Sequence, residues 1–131
     1  MSKEKNIQLI KKLHHIWNTG EINLVSEVYS ENIVVNWARG WGSPSKGLKE
    51  VEQAILKTRN VFHNWNEEIL DLVVDDNKVT SRYVSTGVHK EEYLGVPASG
   101  KNIEIQEISI YLIRDNKVLE QWCLGDDLHL L

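Results

Sequence analysis

The sequence lacks the features by which several large classes of protein are recognised. It contains one cysteine, Cys123, so no disulfide can form within the chain and nothing marks it as an oxidised, secreted scaffold. Its 15 Lys and Arg residues are outnumbered by 19 Asp and Glu residues, which gives a net charge of -4 without a basic block. Because affinity for phosphates needs clustered cationic side chains, we do not expect a nucleic acid as partner.

Long hydrophobic runs are also missing. Residues 1–12 alternate charged side chains with single apolar ones and offer no apolar region of the kind that a signal peptide needs. No window approaches the roughly 18 consecutive apolar residues of a membrane span. We therefore expect a cytoplasmic protein without a membrane partner. With 131 residues, of which 41% are hydrophobic, the chain is expected to form a single globular domain over residues 1–131.

The first half of the chain carries helical periodicity. Apolar residues three and four positions apart predict an amphipathic helix that ends near Gly20. Asn23 can cap a short second helix that continues to Tyr29, and a third helix is predicted from about Ser45, with an apolar stripe that reaches Phe62. Between them, residues 33–37 are predicted to form a brief β segment.

From Trp65 onward the period changes to two, which predicts strands near 66–74, 79–89, 102–113 and 118–125. Two connections are near copies, Asp76-Asn77-Lys78-Val79 and Asp115-Asn116-Lys117-Val118. Both indicate hairpins, because Asp and Asn tolerate tight-turn geometry. Three helices followed by antiparallel strands favour an α+β domain in which the helices cover one face of the sheet.

The third of these long strands has residues that prefer burial on both of its faces. Ile108, Ile110 and Leu112 share one face, whereas Glu107, Ser109 and Tyr111 share the other. We expect one face to meet the helices and the other to meet a second copy of the chain. The sequence therefore predicts a two-fold homodimer that forms through the sheet.

Two familiar kinds of site are not supported by the motifs. The segment from Gly95 to Lys101 nearly spells a phosphate-binding loop, but Asn102 follows where a hydroxyl is required, and a strand follows instead of a helix. The five histidines show no chelating spacing, and a single cysteine cannot build a thiolate site. We expect no metal.

The last predicted strand carries a candidate acid or base. Alternation places Glu120, Trp122, Leu124 and Asp126 on one face, and Gln121, Cys123 and Asp127 on the other. If the Trp122 face lines a cavity below the helices, desolvation would raise the pKa of Asp126 towards the working pH. In the alternative, Asp126 and Asp127 end the strand in solvent, and spacing alone favours this alternative.

Two further polar residues have open roles. His89 ends the second long strand and could bind a ligand or cap the structure. Asn36, on the short early strand, is either a ligand donor or a turn residue.

Several segments, in their order, resemble the SnoaL-like polyketide cyclases and predicted ester cyclases. Residues 79–89 and 93–101 are similar to the family's "R-W…G-T-H…G-x-P-P-T-G-K" signature. Residues 115–122, with Asp126 four positions after Trp122, resemble its "D-G-K-I-V-E-x-W…D" end, and residues 16–20 resemble its "x-W-N-x-G" helix end. The resemblance covers nearly the whole chain.

This resemblance implies the nuclear transport factor 2-like fold, a cone in which a curved antiparallel sheet wraps three N-terminal helices around a deep pocket. Characterised cyclases of this kind close a polyketide ring by an intramolecular aldol step without a metal or an organic cofactor. They remove a proton next to a carbonyl and hold the enolate in a dry cavity. The resemblance makes Asp126 the acid/base, and we expect Asn36, Tyr83, His89 and Trp122 to bind substrate.

The chain also departs from the family pattern. Many relatives have His where this chain has Ser109, and if that His must partner the aspartate, Tyr111, Gln106 and Glu107 are the alternatives among which the sequence does not choose. We predict a cofactor-independent cyclase or isomerase acting on a small hydrophobic carbonyl compound. The alternatives are a non-catalytic binder of a small hydrophobic ligand and a scaffold whose cavity is filled by its own tryptophans.

Overall fold

Three helices pack against one face of a six-stranded sheet in the computed structural model, which describes residues 2–38 and 40–126. The helices are α1 (Lys3–Thr19), α2 (Val25–Val28), which follows a 3₁₀ turn (Ile22–Leu24), and α3 (Leu48–Val61). The strands are β1 (Tyr29–Asn36), β2 (Ser45–Lys46), β3 (Phe62–Asp75), β4 (Lys78–His89), β5 (Asn102–Arg114) and β6 (Lys117–Gly125). The α+β class predicted from the sequence is confirmed.

Local signals fix the two ends of α1. The Ser2 hydroxyl accepts a hydrogen bond from the Lys5 backbone N–H at 3.1 Å. At the other end Gly20 has a left-handed φ of 79° and donates its N–H to the Ile16 carbonyl. The buried face of the helix carries Ile10, Leu13, His14, Ile16 and Trp17. Asn6 is buried as well, so two polar side chains, Asn6 and His14, lie on an otherwise apolar buried face.

The other helices are shorter than their periodicity suggests. Tyr29 and Phe62 were both assigned to helices, but Tyr29 begins β1 and Phe62 begins β3. Phe62 pairs with His89 across β3 and β4, and this long-range pairing overrides an apolar spacing that also fits a helix. As a result β3 begins four residues earlier than predicted.

The sheet has the order β2-β1-β6-β5-β4-β3. All neighbouring pairs are antiparallel except β1 and β6, which are parallel, with Val35 opposite Gln121. The four long strands pair antiparallel as predicted, whereas the parallel pairing of β1 with β6 was not predicted, because no local signal records how β1 meets a strand 80 to 90 residues later. Both hairpins were predicted correctly, and Asp76 and Asp115 have left-handed φ values of 58° and 52°. Register shifts within β3 bend the sheet around the helices.

The core lies between the helices and the inner face of the sheet. On β5 the odd-numbered residues are buried and the even-numbered ones are exposed up to Ile110. Glu107, Ser109 and Tyr111 therefore face the helices, whereas Ile108 and Ile110 lie on the outer face. Of the helices among the described residues, none is long and apolar enough to cross a membrane.

Candidate active site

A pocket opens between α1, α3 and the inner face of strands β3 to β6. Its empty volume, including the open mouth, is about 820 Å³. Seven aromatic side chains line it: Trp17, Trp37, Trp41, Phe62, Trp65, Tyr83 and Tyr93. Its polar lining includes His14, Glu67, Glu107 and Gln121.

The aromatic wall is held by ring contacts and by hydrogen bonds from the indoles. The rings of Trp17 and Trp37 meet edge to face at 5.6 Å, and their N–H groups donate to the Tyr29 hydroxyl and to Ser45 Oγ, each at 2.9 Å. Because these polar atoms are already satisfied, the rings offer the pocket mainly apolar surface. Such a wall suits an uncharged, hydrophobic ligand.

Glu107, on β5, is a carboxyl group in this apolar environment, only 6% exposed. The Tyr83 hydroxyl donates to its Oε1 at 3.2 Å, and the Ser85 hydroxyl donates to its Oε2. Burial, reinforced by the nearby Glu67 carboxylate, raises the pKa of Glu107 to about 8 against the opposing effect of these two hydrogen bonds. Near neutral pH the group therefore carries a proton that it can give to a ligand.

Glu67, on β3, is a second buried acid with different contacts. His14 Nδ1 lies 2.6 Å from its Oε1, and the Trp65 indole N–H donates to its Oε2 at 2.9 Å. Its backbone is fixed as well, since Asn18 accepts from the Glu67 N–H at 2.6 Å and donates to the Glu67 carbonyl at 3.1 Å. The end of α1 thus sets the position of this carboxylate.

The two acids lie on the same face of the sheet, on either side of β4. Ser85 is the strand partner of Glu67 and is hydrogen-bonded to Glu107. Neighbouring strands lie about 4.8 Å apart, so β3 and β5 are separated by roughly 10 Å. This arrangement can place a proton donor and a proton acceptor around one small molecule.

Hydroxyl groups connect Glu107 to the deeper part of the sheet. The Tyr83 hydroxyl lies 2.9 Å from Ser109 Oγ, and Gln121 Nε2 donates to the same oxygen at 3.3 Å. Ser109 also donates to Cys123 Sγ at 3.4 Å. Burial raises the pKa of Cys123 to about 12, so the thiol stays protonated and is a poor nucleophile. Ser109 therefore links Tyr83 to β6.

The residues predicted from the sequence are only partly brought together. Tyr83 lies in the pocket wall. His89 is buried behind that wall, with its ring 5.4 Å from Phe62 and its Nδ1 3.3 Å from Ser99 Oγ. Its Nε2 has no hydrogen-bond partner among the described residues.

The other three predicted residues lie outside the pocket. Trp122 is 39% exposed on the outer face of β6. Asn36 donates from Nδ2 to Glu120 Oε2 at 3.0 Å and to the Gln121 carbonyl. Asp126 is exposed just beyond the end of β6.

The expectation that Asp126 lies in a water-poor cavity beside Trp122 is thus wrong. Alternation had divided β6 correctly into two faces, but the inner face carries Gln121 and Cys123. Asp127 lies outside the described residues.

From the sequence, Glu107 is named only as one of three possible partners for the aspartate, and Glu67 is not named. The sequence of β5 does mark Glu107 as unusual. It is a charged residue in an otherwise mostly apolar row of inner-face residues: Ile103, Ile105, Tyr111 and Ile113. No group of three or more His, Cys, Asp or Glu side chains placed to hold a metal ion occurs among residues 2–38 and 40–126.

Comparison with known proteins agrees with the fold. The statistical description of the SnoaL-like polyketide cyclase family matches residues 7–131. The chain belongs to this family. The resemblance inferred from the sequence motifs is therefore confirmed, and family membership supports a cyclase-type function. None of the curated proteins matches the chain.

Several solved structures share the architecture over nearly the full chain. TsrD from Streptomyces laurentii superimposes with a TM-score of 0.87 at 22% identity, covering 99% of this chain and 94% of that one. A SnoaL-like polyketide cyclase from Agrobacterium tumefaciens gives 0.79 at 18% identity, with 92% and 90% covered. A candidate polyketide cyclase from Bacillus cereus gives 0.80 at 27% identity, with 99% and 82% covered.

Proposed function

We propose that the protein is a cyclase or isomerase that acts on a small hydrophobic, polyketide-like carbonyl compound by acid/base chemistry of its own side chains, without a cofactor. The observation that supports this most is the buried carboxyl of Glu107 inside an aromatic pocket, where burial raises its pKa to about 8. A protonated acid in an apolar site is suited to donate to a carbonyl oxygen. The single, buried cysteine fits the cytoplasmic location that we propose for it.

In this proposal Glu107 acts on the carbonyl oxygen of the bound compound. As the proton on the neighbouring carbon leaves, negative charge develops on the oxygen, and Glu107 neutralises it by transferring its proton. A donor fixed in a pocket that excludes water stabilises this charge more than the same donor does in water. The resulting enol then attacks a second carbonyl in a cyclisation, or takes up a proton at another carbon in an isomerisation.

Tyr83 and Ser85 orient the acid. Burial raises the pKa of Tyr83 well above its usual value, so its hydroxyl remains a neutral donor throughout the working range. Together with Ser85 it engages both oxygens of Glu107. We propose that Tyr83 is a positioning residue whose loss would change the pH profile of the reaction.

The test is proton exchange next to a carbonyl. Purified protein in D₂O is mixed with α-tetralone, β-tetralone, indanone or cyclohexanone, and loss of the α-proton signal is followed by NMR. We expect wild type to accelerate exchange of at least one ketone over buffer, and Glu107→Gln to slow it by about 10²-fold or more while ligand binding persists. Tryptophan fluorescence measures binding.

Glu104→Gln is the matched control, because Glu104 is exposed on the same strand and lies outside the pocket. A protein that binds the ketones but exchanges none of them would contradict catalysis and favour a non-catalytic ligand-binding protein.

We also propose that the partner of the sheet's outer face is a second copy of the chain. Ile108 lies opposite Leu124 and Ile110 lies opposite Trp122, which creates one contiguous patch. These side chains are between 39% and 70% exposed. A continuous apolar patch of this kind is typical of an interaction site.

Light scattering is expected to give the mass of a dimer at micromolar concentration. The Leu124→Lys variant, which places a charge in the middle of the patch, is expected to give the mass of one chain. A wild-type monomer would contradict the dimer.

A further inference from the structure

The proposed function needs a second group, because an acid that is already protonated cannot also take a proton from carbon. Removal of a proton next to a carbonyl requires a base that approaches the carbon while the acid approaches the oxygen. Glu107 fills only the second role. The acceptor must be another polar group of the same pocket wall.

We propose that the His14–Glu67 pair is this second proton-transfer group, with Glu67 as the base that takes the proton from carbon. The inference rests on the proposed function and assigns its missing half. Both residues line the pocket, and they reach it from different elements, His14 from α1 and Glu67 from β3.

Glu67 has a polar side-chain partner at each of its two carboxylate oxygens. His14 Nδ1 lies 2.6 Å from one carboxylate oxygen, and the Trp65 indole N–H donates to the other at 2.9 Å. Hydrogen bonds donated to a carboxylate stabilise its charge. The charge of Glu67 is also among the causes that raise the pKa of Glu107, so a carboxylate at Glu67 favours the protonated form of Glu107.

Glu67 also keeps the capacity to accept a proton. Each carboxylate oxygen can accept two hydrogen bonds, and at each oxygen of Glu67 one side-chain nitrogen is found among the described residues. The residue retains 9% exposure and lines the pocket. A ligand that reaches Glu107 on one side of β4 can therefore present its α-carbon to Glu67 on the other.

His14 is the positioning residue of the pair. Its ring lies 4.5 Å from that of Tyr83, and its Nε2 lies 3.1 Å from Ser81 Oγ and 3.2 Å from the Tyr111 hydroxyl. These contacts on both sides of the ring fix the nitrogen that faces Glu67. The ring thereby directs the carboxylate into the pocket.

The proton transfers balance without a co-reactant. Glu67 takes the α-proton, the C–H electron pair forms a C=C bond, and the carbonyl oxygen takes the proton of Glu107. In a cyclisation the enol carbon then bonds to a second carbonyl carbon, whose oxygen receives the proton held by Glu67, and the enol oxygen returns its proton to Glu107. Both side chains end in their starting states.

The competing explanation is that His14 and Glu67 only tie α1 to the sheet. The α-proton exchange assay separates the two when it is run as a function of pH on wild type, Glu67→Gln and Glu67→Asp. We expect a bell-shaped profile for wild type, because the base must be ionised and the acid protonated. Glu67→Gln should lose about 10²-fold or more in rate, while its affinity for α-tetralone changes by no more than about twofold.

Two comparisons distinguish a catalytic base from a purely structural contact between α1 and the sheet. Glu67→Asp keeps a carboxylate and should keep the acidic limb of the profile, whereas Glu68→Gln, an exposed neighbour, should match wild type. At position 14, Asn can present an N–H to Glu67 and Leu cannot. The exchange rate of His14→Asn should therefore be higher than that of His14→Leu. A purely structural pair would lower stability in these variants without changing the shape of the profile.

The failures of the two proposals are distinguishable. In one outcome, wild type is active, Glu107→Gln is inactive, and Glu67→Gln keeps the wild-type rate and both limbs of the pH–rate profile. That outcome overturns the assignment of Glu67 as the base and leaves the proposed function standing. If wild type binds ketones and exchanges none, the proposed function fails and the base assignment fails with it. If Glu67→Gln does not fold, the wild-type profile decides, because a rate that stays flat towards acid pH overturns the role of Glu67.

Discussion

Ser85 is the strand partner of Glu67 and at the same time donates a hydrogen bond to Glu107. One small side chain on β4 therefore lies between the two buried acids of the pocket. The acids differ in their other contacts, since Glu67 faces ring nitrogens of His14 and Trp65, and Glu107 is reached only by hydroxyl groups among the side chains described. Two titratable groups in surroundings this different can take the separate roles of acid and base.

The stability of the fold should depend on the protonation of Glu107. Its pKa rises from an ordinary 4.5 to about 8, so between these values the folded state holds a proton that the unfolded state has lost. Stability is therefore greatest below about pH 4.5 for this group alone and is lost as the pH rises towards 8, at up to about 1.4 kcal/mol per pH unit.

Urea unfolding at a series of pH values measures this dependence. Glu107→Gln should flatten it, whereas Glu104→Gln should preserve it. Equal slopes in wild type and Glu107→Gln would mean that Glu107 has an ordinary pKa.

Asn18→Ala should destabilise the protein by about 2 kcal/mol. The Asn18 side chain is hydrogen-bonded to both the N–H and the carbonyl of Glu67, and its loss leaves these partly buried groups unpaired. Chemical denaturation gives the free energy of unfolding. Asn32→Ala, at an exposed site, should change it by less than about 0.5 kcal/mol.

Gly125→Ala should displace Trp41 from the pocket wall. A Cβ at this position would lie 2.5 and 2.7 Å from two carbons of the Trp41 ring, so the ring must move. We expect weaker binding of α-tetralone, measured by calorimetry. In a Trp41→Ala background the same substitution should have little effect, and an equal loss in both backgrounds would show that Trp41 is not the cause.

Cys123 should be unreactive in the native protein. The thiol is buried and its pKa is raised to about 12, so almost no thiolate is present at neutral pH. Ellman's reagent should report no free thiol until denaturant is added, and then one per chain. Rapid labelling of the folded protein would indicate that the inner face of β6 is open to solvent.

The elements that were predicted correctly are those with local signals. Gly20 ends α1 through its own left-handed conformation, and Asp76 and Asp115 form turns through theirs. The parallel pairing of β1 with β6 has no such signal, because it depends on where α3 and four strands place the chain in between.

The site was less predictable for the same reason. Period-two alternation divides β6 into two faces but does not say which face meets the helices, so Trp122 was placed inside and Gln121 outside. Glu67 becomes part of a site only through His14, which lies 53 residues away in the sequence. Motif resemblance identified the family, but it directed attention to Asp126, which is exposed in this chain.

The protonation state of Glu107 is the most direct test of the proposed chemistry. The carboxyl carbons of ¹³C-labelled glutamate can be followed by NMR from acid to alkaline pH, and the Glu107 signal is assigned by its absence in Glu107→Gln. We predict that this signal titrates near pH 8 in wild type and at lower pH in Glu67→Gln. Titration near 4.5 in the folded wild type would contradict an acid held protonated by its pocket.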